Sequence, residues 1–237
     1  MNELFKKYRA LYGGVRKQEI AQKGFLSDKQ MEEIDMSAKG IKFNNATTYP
    51  LDAEKLKNTP LKFSSPAVLI IHTHSSEAYA EMEGARSRDA SFNMIHIGSV
   101  VAEILKENGI RVIHDTTEND YPAYNGSYNK ALGVITRNLA ENPDIQVVLD
   151  IHRDYTARKN GDTEIQLKPT ARVDGKKTSQ VMLVVGTDHS GLLHPDWRHN
   201  LGFAVKITEE VNKVSPDIMR PINVRKERFN QHKTQAL

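Results

Sequence analysis

Three short apolar runs, separated by two stretches of helical periodicity, constrain this chain more than any other feature. Ala67–Ile71 reads Ala-Val-Leu-Ile-Ile, Ile110–Ile113 is a second run and Ile145–Ile151 a third. A continuous apolar run of this length marks a strand buried on both faces, as in a parallel sheet. Between the first two runs, Met94, Ile97, Val101, Ile104 and Leu105 recur at helical spacing, with Ser91 as the expected N-cap and Gly109 as the stop. Between the second and third, Ser127 is the expected N-cap of a helix through Leu132, Ile135 and Leu139 that ends at Pro143. This order predicts an α/β fold, a mostly parallel central sheet with helices on both faces. Further on, Ala171–Val173 and Gln180–Val185 flank a turn at Asp174-Gly175 and predict an antiparallel hairpin joined to that sheet. Residues 196–214 predict an amphipathic helix through Trp197, Leu201, Val205 and Val211, with Trp197 in the core, and Asn223–Phe229 a last strand.

The dense pattern begins at Pro66, so residues 66–237 are expected to form the main domain and residues 1–65 a basic helical extension with a polar linker. Residues 2–22 read as a basic helix broken at Gly13-Gly14, and Ser27 with Gln30 has capping-box spacing for a second helix. Residues 39–65 read as a linker or a wrapped arm. The excess charge is local: residues 1–24 hold six Lys or Arg against Glu3 and Glu19, while the whole chain is only +3. A nucleic-acid binder would carry its basic face on the folded domain, so no nucleic-acid partner is expected. The absence of cysteine excludes Cys-ligated zinc, thiol nucleophiles and disulfides. No apolar run approaches the roughly 20 residues that span a bilayer. Neither a membrane span nor a signal peptide is expected in this chain.

Two clusters carry the chemistry. His72-Thr73-His74-Ser75-Ser76-Glu77 directly follows the first strand, and Asp150-Ile151-His152-Arg153-Asp154 closes the third. Ligands of open parallel sheets gather beyond the carboxyl ends of the strands, so both clusters are expected at one place. A catalytic zinc takes three protein ligands, two His and one Glu being a common set. His74 and Glu77 have H-x-x-E spacing, and His152 supplies a third donor from the neighbouring strand. His72 alternates with His74 and would share its face on a continuing strand, so it stands as an alternative ligand, a group behind a ligand or a buried histidine. Arg153 is either an anchor for a substrate carboxylate or developing oxyanion, or the salt-bridge partner of Asp154. His96 and His114 are expected to pack or face water, and His189, His194, His199 and His232 to lie in polar surroundings. His152-Arg153-Asp154 imitates a kinase catalytic loop, but no glycine-rich phosphate loop and no Asp-Phe-Gly accompany it.

With both clusters in view, the chain resembles the stage II sporulation protein P family of peptidoglycan hydrolases. The resemblance rests on four stretches in order: His72-Thr73-His74-Ser75-Ser76-Glu77-Ala78-Tyr79; Asp150-Ile151-His152-Arg153-Asp154; Val185-Gly186-Thr187 with His194-Pro195-Asp196-Trp197-Arg198-His199-Asn200-Leu201; and Arg228-Phe229-Asn230-Gln231. It implies a zinc N-acetylmuramoyl-L-alanine amidase of phosphorylase/hydrolase-like fold, with endopeptidase action on cross-links as well. It implies Zn2+ on His74 (or His72), Glu77 and His152, peptidoglycan as substrate and a lytic transglycosylase as partner. It also implies action outside the membrane, at the cell wall or sporulation septum. The family continues past Arg-Phe-Asn-Gln into a strand bearing its general-base Glu and then a closing helix, and that strand is expected to start after Leu237. A non-catalytic zinc- or peptidoglycan-binding remnant is the alternative function, and a two-metal hydrolase using His72 and His74 a third.

Overall fold

A computed structural model describes residues 31–61, 67–79 and 86–236 of the chain. The basic segment 2–22 and the Ser27 capping box lie outside the described residues. In chain order the elements are β1 (Met31–Ile34), β2 (Phe43–Asn45), α1 (Ala53–Lys57), β3 (Ala67–Ile71), α2 (Met94–Glu107), β4 (Arg111–His114), α3 (Ser127–Glu141), β5 (Ile145–Asp150), β6 (Ala157–Asn160), β7 (Thr163–Val173), β8 (Lys176–Ser179), β9 (Val184–Gly186), α4 (Trp197–Val214), β10 (Ile222–Arg225) and β11 (Gln235–Ala236).

The predicted parallel unit is present. β3 lies between β4 and β5, parallel to both, and all five of its residues are buried. Its side chains alternate between two helices, as the two-residue period of a strand requires. Ala67, Leu69 and Ile71 meet Ala131, Val134 and Ile135 of α3, while Val68 and Ile70 meet Ala102 of α2. β5 carries an irregularity between its pairings with Ala67 and Val68, leaving Gln146 as an extra residue. The bulge flips the phase of the strand. Ile145 and Val148 therefore face α3, whereas Val147 and Leu149 face α2.

Both expected serine caps are corrected. Asn93 caps α2, its Oδ1 accepting the Ile95 N–H at 2.9 Å, while Ser91 sits in a turn closed by Asp89. Gly126 caps α3 at φ 85°, a left-handed conformation suited to glycine. Ser127 is already the first helical residue, and its hydroxyl donates to the Tyr124 carbonyl at 2.6 Å.

The remaining strands divide into two more sheets. β2, β10 and β9 pair in parallel and lie against α4, where Val185, Ile222 and Val224 meet Trp197, Leu201, Ala204, Val205 and Leu56 of α1. Trp197 is a core residue, stacked on Tyr49 with ring centres 5.1 Å apart. The hairpin at Asp174-Gly175 forms, but as β7 and β8 of a separate sheet that also holds β1 and β6. Its second arm stops at Ser179 because Gln180 turns to other work, accepting the Met36 N–H and donating to Asp35 and the Asp217 carbonyl. The apolar residues after it then supply β9 to the sheet under α4. Gln235 and Ala236 add a short fourth strand, pairing in parallel with Val147 and Val148 of β5. The central sheet thus runs β11-β5-β3-β4, with β11 pointing toward the same edge as the Asp150 cluster.

Candidate metal centre

β3 ends at Ile71, and the chain then turns rather than continuing as a strand. The Glu77 N–H closes this turn on the His74 carbonyl at 3.1 Å. Strand alternation therefore ceases before it can place His72 and His74 together. His72 stays in phase with Ile70, on the α2 side, with its Nε2 2.9 Å from Nε2 of His114 and its Nδ1 3.4 Å from the Ile151 carbonyl. A proton on Nδ1 for that carbonyl leaves the His72 Nε2 lone pair to accept from His114. Both rings press on Gly98 of α2, where an added Cβ would stand 2.5 Å from His72 Nε2 and 2.6 Å from His114 Nε2. Burial, followed by the nearby His114, pushes His72 down to about 4, and burial also lowers His114. Both of these imidazoles are neutral near neutral pH.

His74 swings to the α3 side and meets the second cluster. Its ring centre is 5.3 Å from that of His152, at an interplanar angle of 72°. His152 Nδ1 is 3.6 Å from Glu77 Oε2, and its Nε2 is 3.2 Å from Asp150 Oδ2. Burial opposes charge on His152, but the field and hydrogen bond of Asp150, with Glu77 adding to them, push it up to about 10. Asp150 is half-buried, which works against its charge, yet His152 and two bonds from Thr73, from its N–H at 2.8 Å and its hydroxyl at 2.5 Å, hold its carboxyl below the usual range.

Several groups that the sequence did not assign to the site fix this arrangement. Asp120 accepts from the Ser75 hydroxyl at 2.8 Å and from the Ser76 hydroxyl at 2.6 Å, with Arg86 at 3.3 Å. These partners outweigh the effect of burial and keep the Asp120 carboxyl ionised. Its position after β4, at the same sheet edge, was the available clue. Ser127 Oγ lies 3.3 Å from His74 Nδ1. Because that hydroxyl spends its proton on the Tyr124 carbonyl, its lone pair faces Nδ1, which selects the tautomer with Nε2 unprotonated. Tyr124 stacks on His74 at 4.3 Å and Tyr128 meets it edge-on at 5.5 Å. Burial, and then the charge of Asp150, push the Tyr128 hydroxyl up to about 12.

The other expected residues fall as follows. Glu77 Oε2 accepts the Arg153 backbone N–H at 2.8 Å, which ties the two clusters directly. Asp154 is not the partner of Arg153; it pairs with Arg220 at 2.7 Å, and Arg153 Nε is buried without a hydrogen-bond partner. His114 is paired with His72 rather than facing water. His194 does have polar neighbours, His232, Asp188, Asp196 and Arg228, but it is 1% exposed with neither ring nitrogen bonded.

Among the described residues, no three His, Asp or Glu side chains stand in ligating positions as they are. Two pairwise spacings are nevertheless close to those between ligands of one small divalent ion. Two donors of one tetrahedral ion with bonds of about 2.1 Å lie roughly 3.4 Å apart, and two imidazoles so bound hold their ring centres roughly 5 Å apart. The His152–Glu77 pair, at 3.6 Å, approaches the first spacing and the His74–His152 ring pair, at 5.3 Å, the second. Asp150 behind His152 and Ser127 behind His74 are the orienting acceptors that metal-ligating imidazoles need.

Against known proteins, the family model described as Stage II sporulation protein P matches residues 7–237. The chain is also similar to stage II sporulation protein P of Bacillus subtilis (strain 168), 30% identical over 130 residues, which cover 50% of this chain and 30% of that relative. The chain thus matches under a third of the relative's own length. No solved structure matches it. Among the described residues, no helix is long and apolar enough to cross a membrane.

Proposed function

The chain belongs to the stage II sporulation protein P family, and from that premise we propose that it is a zinc-dependent peptidoglycan hydrolase of the sporulation engulfment type. The bond cut is the N-acetylmuramoyl-L-alanine amide between glycan and stem peptide, with cross-link peptide bonds as further targets of the same site. The observation that carries this reading is His152 held between Asp150 and Glu77 with the His74 ring beside it. The parallel sheet with both clusters at its carboxyl edge supports an amidase-like fold. The substrate places the work outside the membrane, at the wall or septum, where a glycan-cutting lytic transglycosylase is the natural partner.

His74 through Nε2, His152 through Nδ1 and the Glu77 carboxylate would hold the ion. When bound, zinc supplies a Lewis acid for the scissile carbonyl and for a water. The rest falls to the chain's own groups. Asp150 accepts the His152 Nε2–H and so keeps Nδ1 as the donor atom. Ser127 does the same for His74 from the Nδ1 side. Thr73 and Asp120 hold the loop that carries His74 and Glu77 in register with the end of β5. Arg153, whose backbone N–H binds Glu77 beside the cluster, is placed to serve as anchor for a substrate carboxylate or developing oxyanion.

Elemental analysis combined with release of stem peptide from purified wall tests the proposal. One zinc per chain with release in the wild type, and loss of both in His152→Ala, is the expected result. Zinc without release favours the non-catalytic remnant, two ions per chain favour the two-metal site, and absence of zinc removes the metal reading.

A further inference from the structure

Phe229 adopts φ +51°, the left-handed region that bulky residues avoid. Its neighbours are committed to holding it there. Gln231 accepts the Gly186 N–H at 2.6 Å and donates to the Val184 carbonyl at 2.8 Å. Asn230 donates to the Tyr128 carbonyl at 2.9 Å, and Arg228 to the Leu193 carbonyl at 3.0 Å. The turn also rests against Gly186, where a Cβ would meet the Glu227 carbonyl oxygen at 2.5 Å. Three of the four side chains in Arg228-Phe229-Asn230-Gln231 thus serve as hooks for backbone. The fourth, on the strained residue, stacks instead on Tyr128 with ring centres 5.8 Å apart. Tyr128 is itself 38% exposed and stands edge-on to His74. Strain held in place by so many bonds points to a side chain whose position matters more than its local stability.

We infer that Phe229 and Tyr128 form an aromatic wall beside the His74–His152 cluster that binds the face of a pyranose ring in the glycan, making Phe229 a specificity-determining residue. This rests on the hydrolase reading for the identity of the ligand, and deepens it by assigning the sugar side of the substrate. The chemistry fits. Aromatic faces carry partial negative charge that attracts the polarised C–H groups of a sugar face. Tyr124 is a poorer platform, since His74 covers one face and Arg86, 4.4 Å from the ring centre, also stacks on it.

The test uses the full chain without metal, so that binding is read without turnover. Calorimetric titration compares a disaccharide-tripeptide from peptidoglycan with the same tripeptide lacking sugar. The wild type should bind the sugar-bearing ligand about tenfold more tightly. Phe229→Ala should erase that preference while leaving affinity for the bare tripeptide unchanged, and Phe229→Tyr should restore it. Phe229→Gly, which suits the left-handed backbone, should also lose the preference without lowering the thermal midpoint below that of the alanine variant. A wild type indifferent to the sugar, or a Phe229→Ala variant that keeps the preference, overturns the inference. Sugar-dependent binding through Phe229 in a protein that cleaves nothing when zinc-loaded supports this wall and sinks the hydrolase reading alone.

Discussion

Two pairs of histidines sit at one edge of the central sheet, on opposite faces, and they differ in charge: burial favours the neutral form of His72, His114 and His74, while His152 alone is held cationic. His72 and His114 are packed against Gly98 with no carboxylate in contact, and burial keeps both neutral. His74 and His152 lie against Asp150 and Glu77, and His152 is held cationic between the two carboxylates. The same residue type a few ångströms away is thus a packing element in one place and a candidate ligand in the other. The difference is made by carboxylates in direct contact: Asp150 and Glu77 offset burial at His152, whereas His72 has only the Ile151 carbonyl.

The comparison breaks most visibly if the ligand side is damaged. Glu77→Ala or His152→Ala should abolish stoichiometric zinc and lower wall-peptide release by at least about 10²-fold, as elemental analysis and release assays would show. His72→Ala, by contrast, should leave zinc content unchanged. Asp150→Asn, which keeps shape but weakens the acceptor behind His152, should reduce zinc affinity about 10–100-fold in competition with a chelator.

The neutral side is sharpened by a third buried histidine. Burial, then His232, pushes His194 down to about 4, with Arg228 acting in the same sense and Asp188 and Asp196 against it. The unfolded chain takes up that proton near pH 6.5, so the native state should lose stability as pH falls from about 6.5 toward 4, by no more than about 3 kcal/mol. Denaturant melts of His194→Gln should show a shallower decline over that window. Gly98→Ala should cost about 1–3 kcal/mol by driving a methyl into the His72–His114 contact, with zinc content intact. The smallest effect is expected from Ser127→Ala, which removes the His74 Nδ1 partner together with the donor to the Tyr124 carbonyl and should weaken zinc about fivefold or less.

Much of the centre was legible in the sequence because the clusters directly follow apolar runs, and an apolar run of five residues leaves little doubt about where a buried strand lies. That His74, Glu77 and His152 meet at one place could be expected for that reason. Choosing between His72 and His74 could not be done from alternation, because the strand stops at Ile71 and the following turn carries His74 across the sheet. The phase of β5 was hidden as well, since the extra residue Gln146 changes which side chains face α3. Asp120 and Ser127 lie in a loop and at a helix start, where periodicity carries no signal and only tertiary contact reveals the role. The hairpin was read correctly as a turn but assigned to the wrong sheet, because Gln180 looks like a strand residue until its three hydrogen bonds are seen.

The most direct measurement is an anomalous difference map at the zinc edge from crystals of the zinc-loaded chain. One peak about 2.0–2.1 Å from His74 Nε2, His152 Nδ1 and a Glu77 oxygen, with the His72–His114 pair unchanged, is the predicted result. A peak between His72 and His114, or none within reach of His152, would contradict the account.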